Sequence, residues 1–245
     1  MSSVGTVLQQ EAKAGAEYAA LLGNPVYHGV GIPRGHGESV LVLPGLFGND
    51  LYLLPLLDWL RRIGYRPIAS HLAFNAGCPN RLVDEVAAML ANRLGAEERL
   101  SIVGHSRGGM LGWALASRMG SRVSQLVLLG SPASGLVQLA RSGKSLSAAS
   151  SLGHERVGNA SNNARRLLDP DCSFPACGCS YLEDLRRPLN ARTLVTSIFS
   201  TEDQIVAPRA CPVAGATNVK VLGSHSGLVW NVAVYRQLAE SLAAS

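Results

Sequence analysis

Short apolar runs alternate with segments of helical periodicity along most of the chain. Nearly continuous apolar runs of this length are typical of strands that are buried on both faces of a sheet. We therefore expect a mostly parallel sheet of about six strands, covered by helices on both faces. The predicted strands are Ser39–Pro44, Tyr65–Ser70, Leu100–Gly104, Val123–Gly130, Thr193–Phe199 and Val219–Leu222.

The segments between these runs carry helical patterns. The clearest pattern lies after the second strand, where apolar residues return every three or four positions. The helix after the first strand has an N-cap candidate in Asn49 or Asp50. Residues 1–36 contain one amphipathic segment and no convincing pair of strands. The predicted helical segments are Val7–Leu22, Asp50–Arg62, Asn80–Leu94, Ser106–Met119 and Gly227–Ala243.

A long interval, residues 131–190, separates the fourth and fifth strands. A connection of this length is too long for a plain loop in a compact domain, so we expect an inserted helical lid within a single domain spanning residues 1–245. Its apolar side chains either line an acyl pocket or pack the lid onto the core, and the sequence leaves both readings open. They are Leu136, Val137, Leu139, Leu146, Leu152, Leu167 and Leu168.

The third strand ends in Gly-His-Ser-Arg-Gly, with Ser106 at the junction between strand and helix. The letters G-x-S-x-G are a weak signal alone, but a strand–turn–helix strains the nucleophile's backbone and brings its neighbours close together. Gly104 and Gly108 are the residue types that fit such a turn. The turn also directs the N–H of Arg107 and the positive end of the helix toward a developing oxyanion.

A serine nucleophile needs a base, and the base needs an orienting acid. His225 follows the sixth strand and is the candidate base, because the other histidines lie too early or in the predicted lid. His105 adjoins the serine, and a sequence neighbour is expected to point away from it. The acid should follow the fifth strand, where Asp203 is the first choice and Glu202 the alternative.

The chain resembles the α/β-hydrolase superfamily, and in particular its bacterial lipase-like and esterase-like members. The resemblance covers roughly Ser39 to Ala243 apart from the lid, and it rests on the motifs PGLFG at 44–48, VGHSRGG at 103–109, STEDQIV at 200–206 and the histidine at 225. It implies a triad of Ser106, Asp203 and His225. It also implies that the N–H of Leu46 is the second oxyanion donor, and Phe47 beside it is expected to form one wall of the substrate pocket.

Bulk composition narrows the class of partner. The net charge of +5 is spread thinly rather than gathered in a stripe, which argues against nucleic-acid binding. Three of the five cysteines, Cys172, Cys177 and Cys179, crowd together without zinc-finger spacing, so free thiols or a local disulfide are expected rather than a metal. No signal segment or membrane-length apolar run is visible, which predicts a cytoplasmic protein without an integral membrane segment.

The sequence thus predicts a serine hydrolase that cleaves carboxylic esters of apolar acyl groups through an acyl-enzyme, with a small ester or lipid-like substrate and no cofactor. An acyltransferase or a thioesterase would use the same residues, because only the acceptor or the leaving group differs. A hydrolase-fold binding protein without turnover is a third alternative, since a fold does not fix a function. The sequence leaves the oligomeric state open.

Overall fold

Six parallel strands form the centre of the protein. The computed structural model describes residues 4–134, 163, 166–172 and 179–244. The sheet has the order β2-β1-β3-β4-β5-β6, and every neighbouring pair is parallel. The predicted six-stranded parallel architecture is therefore confirmed. The strands are β1 (Ser39–Leu43), β2 (Arg66–Ala69), β3 (Leu100–His105), β4 (Val123–Leu129), β5 (Leu194–Ser200) and β6 (Thr217–Val221).

Helices cover both faces of the sheet, because the strands are apolar on both sides. In β1, Leu41 and Leu43 belong to one core cluster, and Val40 and Val42 belong to the other. The first cluster is closed by α3 (Pro79–Ala91), α4 (Arg107–Met119) and α5 (Ser180–Arg186). The second is closed by α1 (Val4–Leu22), α2 (Leu54–Arg62) and α6 (Val232–Ala243).

Two predicted helices begin later than the sequence pattern indicated. After β6, Ser226–Trp230 forms a 3₁₀ turn, and α6 starts at Val232 because the extended Asn231 caps it. After β1, a 3₁₀ turn precedes α2, since Pro55 near the helix start has no N–H with which to continue the hydrogen bonding of the preceding turn. Of the two cap candidates, Asn49 accepts the N–H of Leu51 at 2.9 Å.

The last part of the predicted insertion is a helix packed on the body of the protein. Helix α5 buries Tyr181, Leu182 and Leu185 against the cluster that contains α4. Arg118 on α4 donates to Asp184 of α5 and to Asp84 of α3, both at 2.5 Å. One guanidinium therefore joins three helices, and Asp184 is almost completely buried.

The strand order puts the topological switch point of the sheet between β1 and β3. Strand β1 pairs with β2 on one side and with β3 on the other, so the chain leaves the adjacent ends of β1 and β3 in opposite directions. Ligands bind at such switch points in open α/β sheets. The register pairs Leu43 with Gly104, which brings the turn after β1 beside the turn after β3.

Candidate active site

The turn between β3 and α4 holds Ser106 in a strained backbone conformation. Its φ of 53° and ψ of −121° lie in a region that residues other than glycine rarely adopt. A Cβ at Gly104 would collide with the backbone of Gly109, and one at Gly108 with the carbonyls of Leu43 and Pro44. The glycines on either side of the serine are thus required by close backbone approach, as their spacing predicted.

Three side chains from distant parts of the chain meet at this turn. His225 Nε2 lies 2.9 Å from Ser106 Oγ, and His225 Nδ1 lies 2.6 Å from Asp203 Oδ2. A carboxylate can only accept, so Nδ1 carries the proton, and Nε2 is left to accept the serine hydroxyl. The three residues are between 4% and 8% exposed, which keeps the hydrogen bonds largely shielded from water.

The two acidic candidates have different partners. Asp203 uses Oδ2 for the imidazole, while its Oδ1 accepts the N–H groups of Ile205 and Val206, both at 2.8 Å. Glu202 instead accepts the N–H of Gly223 at 3.2 Å. Asp203 is therefore the residue that contacts His225, and Glu202 contacts the backbone at the beginning of the histidine loop.

The turn after β1 carries the predicted oxyanion and pocket residues, Leu46 and Phe47. Phe47 has a φ of 61°, is 40% exposed and has its ring centroid 5.7 Å from that of Phe74. Asn75 makes two hydrogen bonds to this turn. Its backbone C=O accepts the N–H of Phe47, and its side chain donates to Pro44 O at 2.7 Å.

Most amides of this turn are already occupied. The N–H of Gly45 donates to the Tyr52 hydroxyl at 2.5 Å, that of Phe47 to Asn75 O at 3.0 Å, and that of Gly48 to Gly45 O at 3.0 Å. Among the described contacts, none uses the N–H of Leu46. Leu46 therefore differs from Gly45, Phe47 and Gly48, whose N–H groups each have a protein acceptor among the described residues.

His105 and Tyr52 form a partly buried set of hydrogen bonds that sequence reasoning missed. His105 Nε2 lies 3.0 Å from the carbonyl oxygen of His225, so Nε2 must be protonated and donate. His105 Nδ1 then accepts the Tyr52 hydroxyl, 3.1 Å away, and Tyr52 accepts the N–H of Gly45. These hydrogen bonds connect the turn after β1 to the backbone of His225.

The protonation states of His105 and Tyr52 follow from their surroundings. Burial and the neighbouring His225 lower the pKa of His105 to about 3, and burial raises the pKa of Tyr52. Both groups are therefore neutral at pH 7. The sequence analysis considered His105 only as a base for Ser106. Its position at the end of a strand that is buried on both faces was the available signal for a structural histidine.

Arg107 opens α4, and its guanidinium donates to Gly77 O at 2.5 Å. This contact ties the turn at Ser106 to the loop before α3. The backbone N–H of Arg107 lies in the first turn of the helix, where the dipole favours negative charge.

Parts of the predicted lid lie outside the described residues, namely Leu136, Val137, Leu139, Leu146 and Leu152, together with Cys177. Leu167 and Leu168 are described, and they are 84% and 48% exposed, so neither is part of the core. Cys78 and Cys211 are buried free thiols.

The described residues contain no group of three or more His, Cys, Asp or Glu side chains that is placed to hold a metal ion. In the same part of the chain, no helix has both the length and the apolar character needed to cross a membrane.

A family model for the alpha/beta hydrolase fold matches residues 38–148, which include the turns after β1 and β3. The chain has the α/β-hydrolase fold. The α/β-hydrolase fold that the sequence motifs indicated is thereby confirmed, and the match ends before Asp203 and His225. A comparison with curated proteins gives no significant match.

Solved structures support the same fold. One comes from a study of carboxylesterases of the thaumarchaeon Nitrososphaera gargenis. That structure is 14% identical in sequence, has a TM-score of 0.56, and the match covers 86% of this chain and 92% of that chain. The monoacylglycerol lipase of Paleococcus ferrophilus is 16% identical, with a TM-score of 0.54 and coverages of 86% and 96%. An epoxide hydrolase mutant from Bacillus megaterium is 16% identical, with a TM-score of 0.50 and coverages of 87% and 96%. The TM-scores and coverages show a shared fold, and identities this low leave the substrate open.

Proposed function

We propose that this α/β-hydrolase is a serine hydrolase that cleaves carboxylic esters through an acyl-enzyme on Ser106. The observation that carries the proposal is the continuous hydrogen-bond chain from Ser106 Oγ through His225 to Asp203. A serine hydroxyl is a weak nucleophile, and this arrangement is the one that activates it. Esterase and lipase structures among the neighbours are consistent with the same chemistry.

In the acylation step, Ser106 Oγ attacks the ester carbonyl while His225 Nε2 takes the hydroxyl proton. The resulting imidazolium is stabilised by the Asp203 carboxylate on Nδ1. The tetrahedral intermediate expels the alcohol, which leaves with the proton from His225. Water then loses a proton to the same nitrogen and attacks the acyl-enzyme. The second tetrahedral intermediate releases the carboxylic acid, and Ser106 Oγ leaves with the proton from His225, which restores the starting state.

The oxyanion of the tetrahedral intermediate would be bound by the N–H groups of Leu46 and Arg107. Leu46 is favoured because the other amides of its turn have protein acceptors, and Arg107 because it opens α4 at the positive end of the helix dipole. Loss of one such donor typically costs about 10²–10³-fold in kcat. Asn75 and Tyr52 would keep the turn in place, through Pro44 O and the N–H of Gly45.

The substrate class that fits the site is a small ester with an apolar acyl group. Phe47 and Phe74 present adjacent rings beside the turn that carries Leu46, and both are more than one-third exposed. An apolar chain placed on these rings would remove their surfaces from water, with a gain of about 25 cal/mol per Å² buried.

The decisive experiment combines a serine-directed fluorophosphonate label with turnover of p-nitrophenyl esters of increasing chain length. The wild-type protein should be labelled at Ser106 and should release p-nitrophenolate. Ser106→Ala should lose both signals, while the exposed Ser121→Ala variant should keep them. Full ester turnover by Ser106→Ala would overturn the proposed mechanism. An unlabelled wild-type protein would point to the binding-protein alternative, and faster turnover of acyl-thioesters would redirect the substrate class.

A further inference from the structure

Helix α1 contributes two carboxylates to the loop that carries His225. Glu11 accepts the N–H of His225 with one oxygen and the N–H of Ser226 with the other, both at 3.0 Å. Glu17 accepts the N–H of Ser224 at 3.0 Å and its hydroxyl at 2.5 Å. Three consecutive amides of the loop are thus bound by a helix that lies more than 200 residues earlier in the chain.

Glycines in the loop make room for one of these carboxylates. A Cβ at Gly223 or at Gly227 would collide with the carboxylate of Glu17. Gly223 also has a φ of +133°, a conformation that side chains rarely permit. The two glycines that flank the serines and the histidine therefore fit the approach of Glu17, which is evidence for this contact independent of the hydrogen bonds.

We propose that Glu11 and Glu17 are positioning residues that hold the His225 loop in register with Ser106, so that α1 is part of the active-site framework. This inference rests on the serine-hydrolase function proposed above. The peptide groups on either side of the His225 Cα are fixed separately, the N–H by Glu11 and the C=O by His105. The orientation of the His225 ring is therefore fixed by the hydrogen bonds of its backbone as well as by its contact with Asp203.

The effect on rate follows from the sensitivity of proton transfer to distance. Hydrogen bonds to a charged acceptor are roughly twice as strong as neutral ones, so removing the charge loosens the loop. A misplacement of about 1 Å at a reacting group can cost about 10²-fold in rate. The proposed substrate surface lies at Phe47 and Phe74 rather than on this loop, so substrate binding should change little.

Replacement by glutamine should affect Glu11 and Glu17 to different extents. In Glu11→Gln, one of two backbone N–H groups would face the new NH₂ group, because both carboxylate oxygens accept from amides. In Glu17→Gln, the Ser224 hydroxyl can turn and accept from the NH₂ group. We therefore expect at least about a ten-fold loss of kcat for Glu11→Gln, given the strength of charge-assisted bonds, and a smaller loss for Glu17→Gln.

The experiment measures p-nitrophenyl acetate turnover per active site, with the sites counted by complete fluorophosphonate labelling. The variants are Glu11→Gln, Glu17→Gln and Gly227→Ala, and the exposed Glu97→Gln provides the matched control. A positioning role predicts full labelling at the end point, slower labelling, a reduced kcat per labelled site and a KM within about two-fold of wild type. Glu97→Gln should match the wild type.

A purely structural role predicts a different result. It would lower the number of labelled sites and leave kcat for each remaining site unchanged, and that outcome would overturn the proposal. Wild-type kcat and labelling rate in both glutamate variants would overturn it as well. If the wild-type protein itself is neither labelled nor active, the proposed function fails first, and the inference fails with it.

Discussion

Acid should destabilise this protein in part through a single buried histidine, His105. The ring is 5% exposed, and it uses its two nitrogens for the Tyr52 hydroxyl and the His225 carbonyl. Burial is the main reason that its pKa falls to about 3, and the neighbouring His225 lowers it further. A second proton would go onto Nδ1, where it would break the hydrogen bond from Tyr52.

The direction of the effect follows from proton linkage. The unfolded chain binds a proton at His105 near pH 6.5, whereas the folded protein binds it only near pH 3, so stability is lost as pH falls through this window. The slope is about 1.4 kcal/mol per pH unit once the pH is well below 6.5. Between about pH 5.5 and about pH 4.5, His105 should therefore remove about 1.3 kcal/mol from the free energy of unfolding.

The assay compares the wild type with His105→Gln by urea unfolding at about pH 6.5, 5.5 and 4.5. Glutamine does not titrate, and it keeps a donor and an acceptor. Because the carboxylates titrate in both proteins, their contribution cancels in the difference between the two pH slopes. We expect the variant to lose about 1.3 kcal/mol less than the wild type between the two lower pH values. Equal slopes would show that His105 is not held neutral by burial.

Three further outcomes are expected. Asp203→Asn should lose far more ester turnover than Glu202→Gln, because Asp203 contacts the imidazole whereas Glu202 accepts the N–H of Gly223; the reverse ranking in kcat would move the acid role. Asn75→Asp should lower kcat more than Asn75→Ala does, since a carboxylate would place an acceptor against Pro44 O; equal kcat values would contradict this. Arg118→Met should lower the free energy of unfolding by about 3–5 kcal/mol by leaving Asp184 buried without its main partner, and a thermal scan with unchanged Tm would refute it.

The fold was predictable because each strand carries its signal locally. Runs such as Leu100–Gly104 are apolar on both faces, and only the centre of an α/β sheet accommodates several such runs. Helix starts were less predictable. The delay of α6 to Val232 depends on the extended conformation of Asn231, which the apolar periodicity around it does not reveal.

The three residues at the centre of the candidate site were also predictable, because chain order and strand ends restrict where a nucleophile, an acid and a base can lie. The choice between Glu202 and Asp203 was not fixed by order alone. Adjacent residues leave a strand end in different directions, and the structure directs only Asp203 at His225.

The hydrogen bonds from the backbone of the His225 loop to Glu11 and Glu17 could not be predicted from sequence patterns. Glu11 and Glu17 lie on an amphipathic helix where a glutamate is an ordinary surface residue, and nothing local distinguishes them from the exposed Glu97. A backbone N–H has no sequence signature either, so a side chain that binds one leaves no spacing to find. Gly223 and Gly227 were the available signal in the sequence, because glycines on both sides of a candidate base permit another group to approach closely. In this protein, that space is filled by a carboxylate from the first helix.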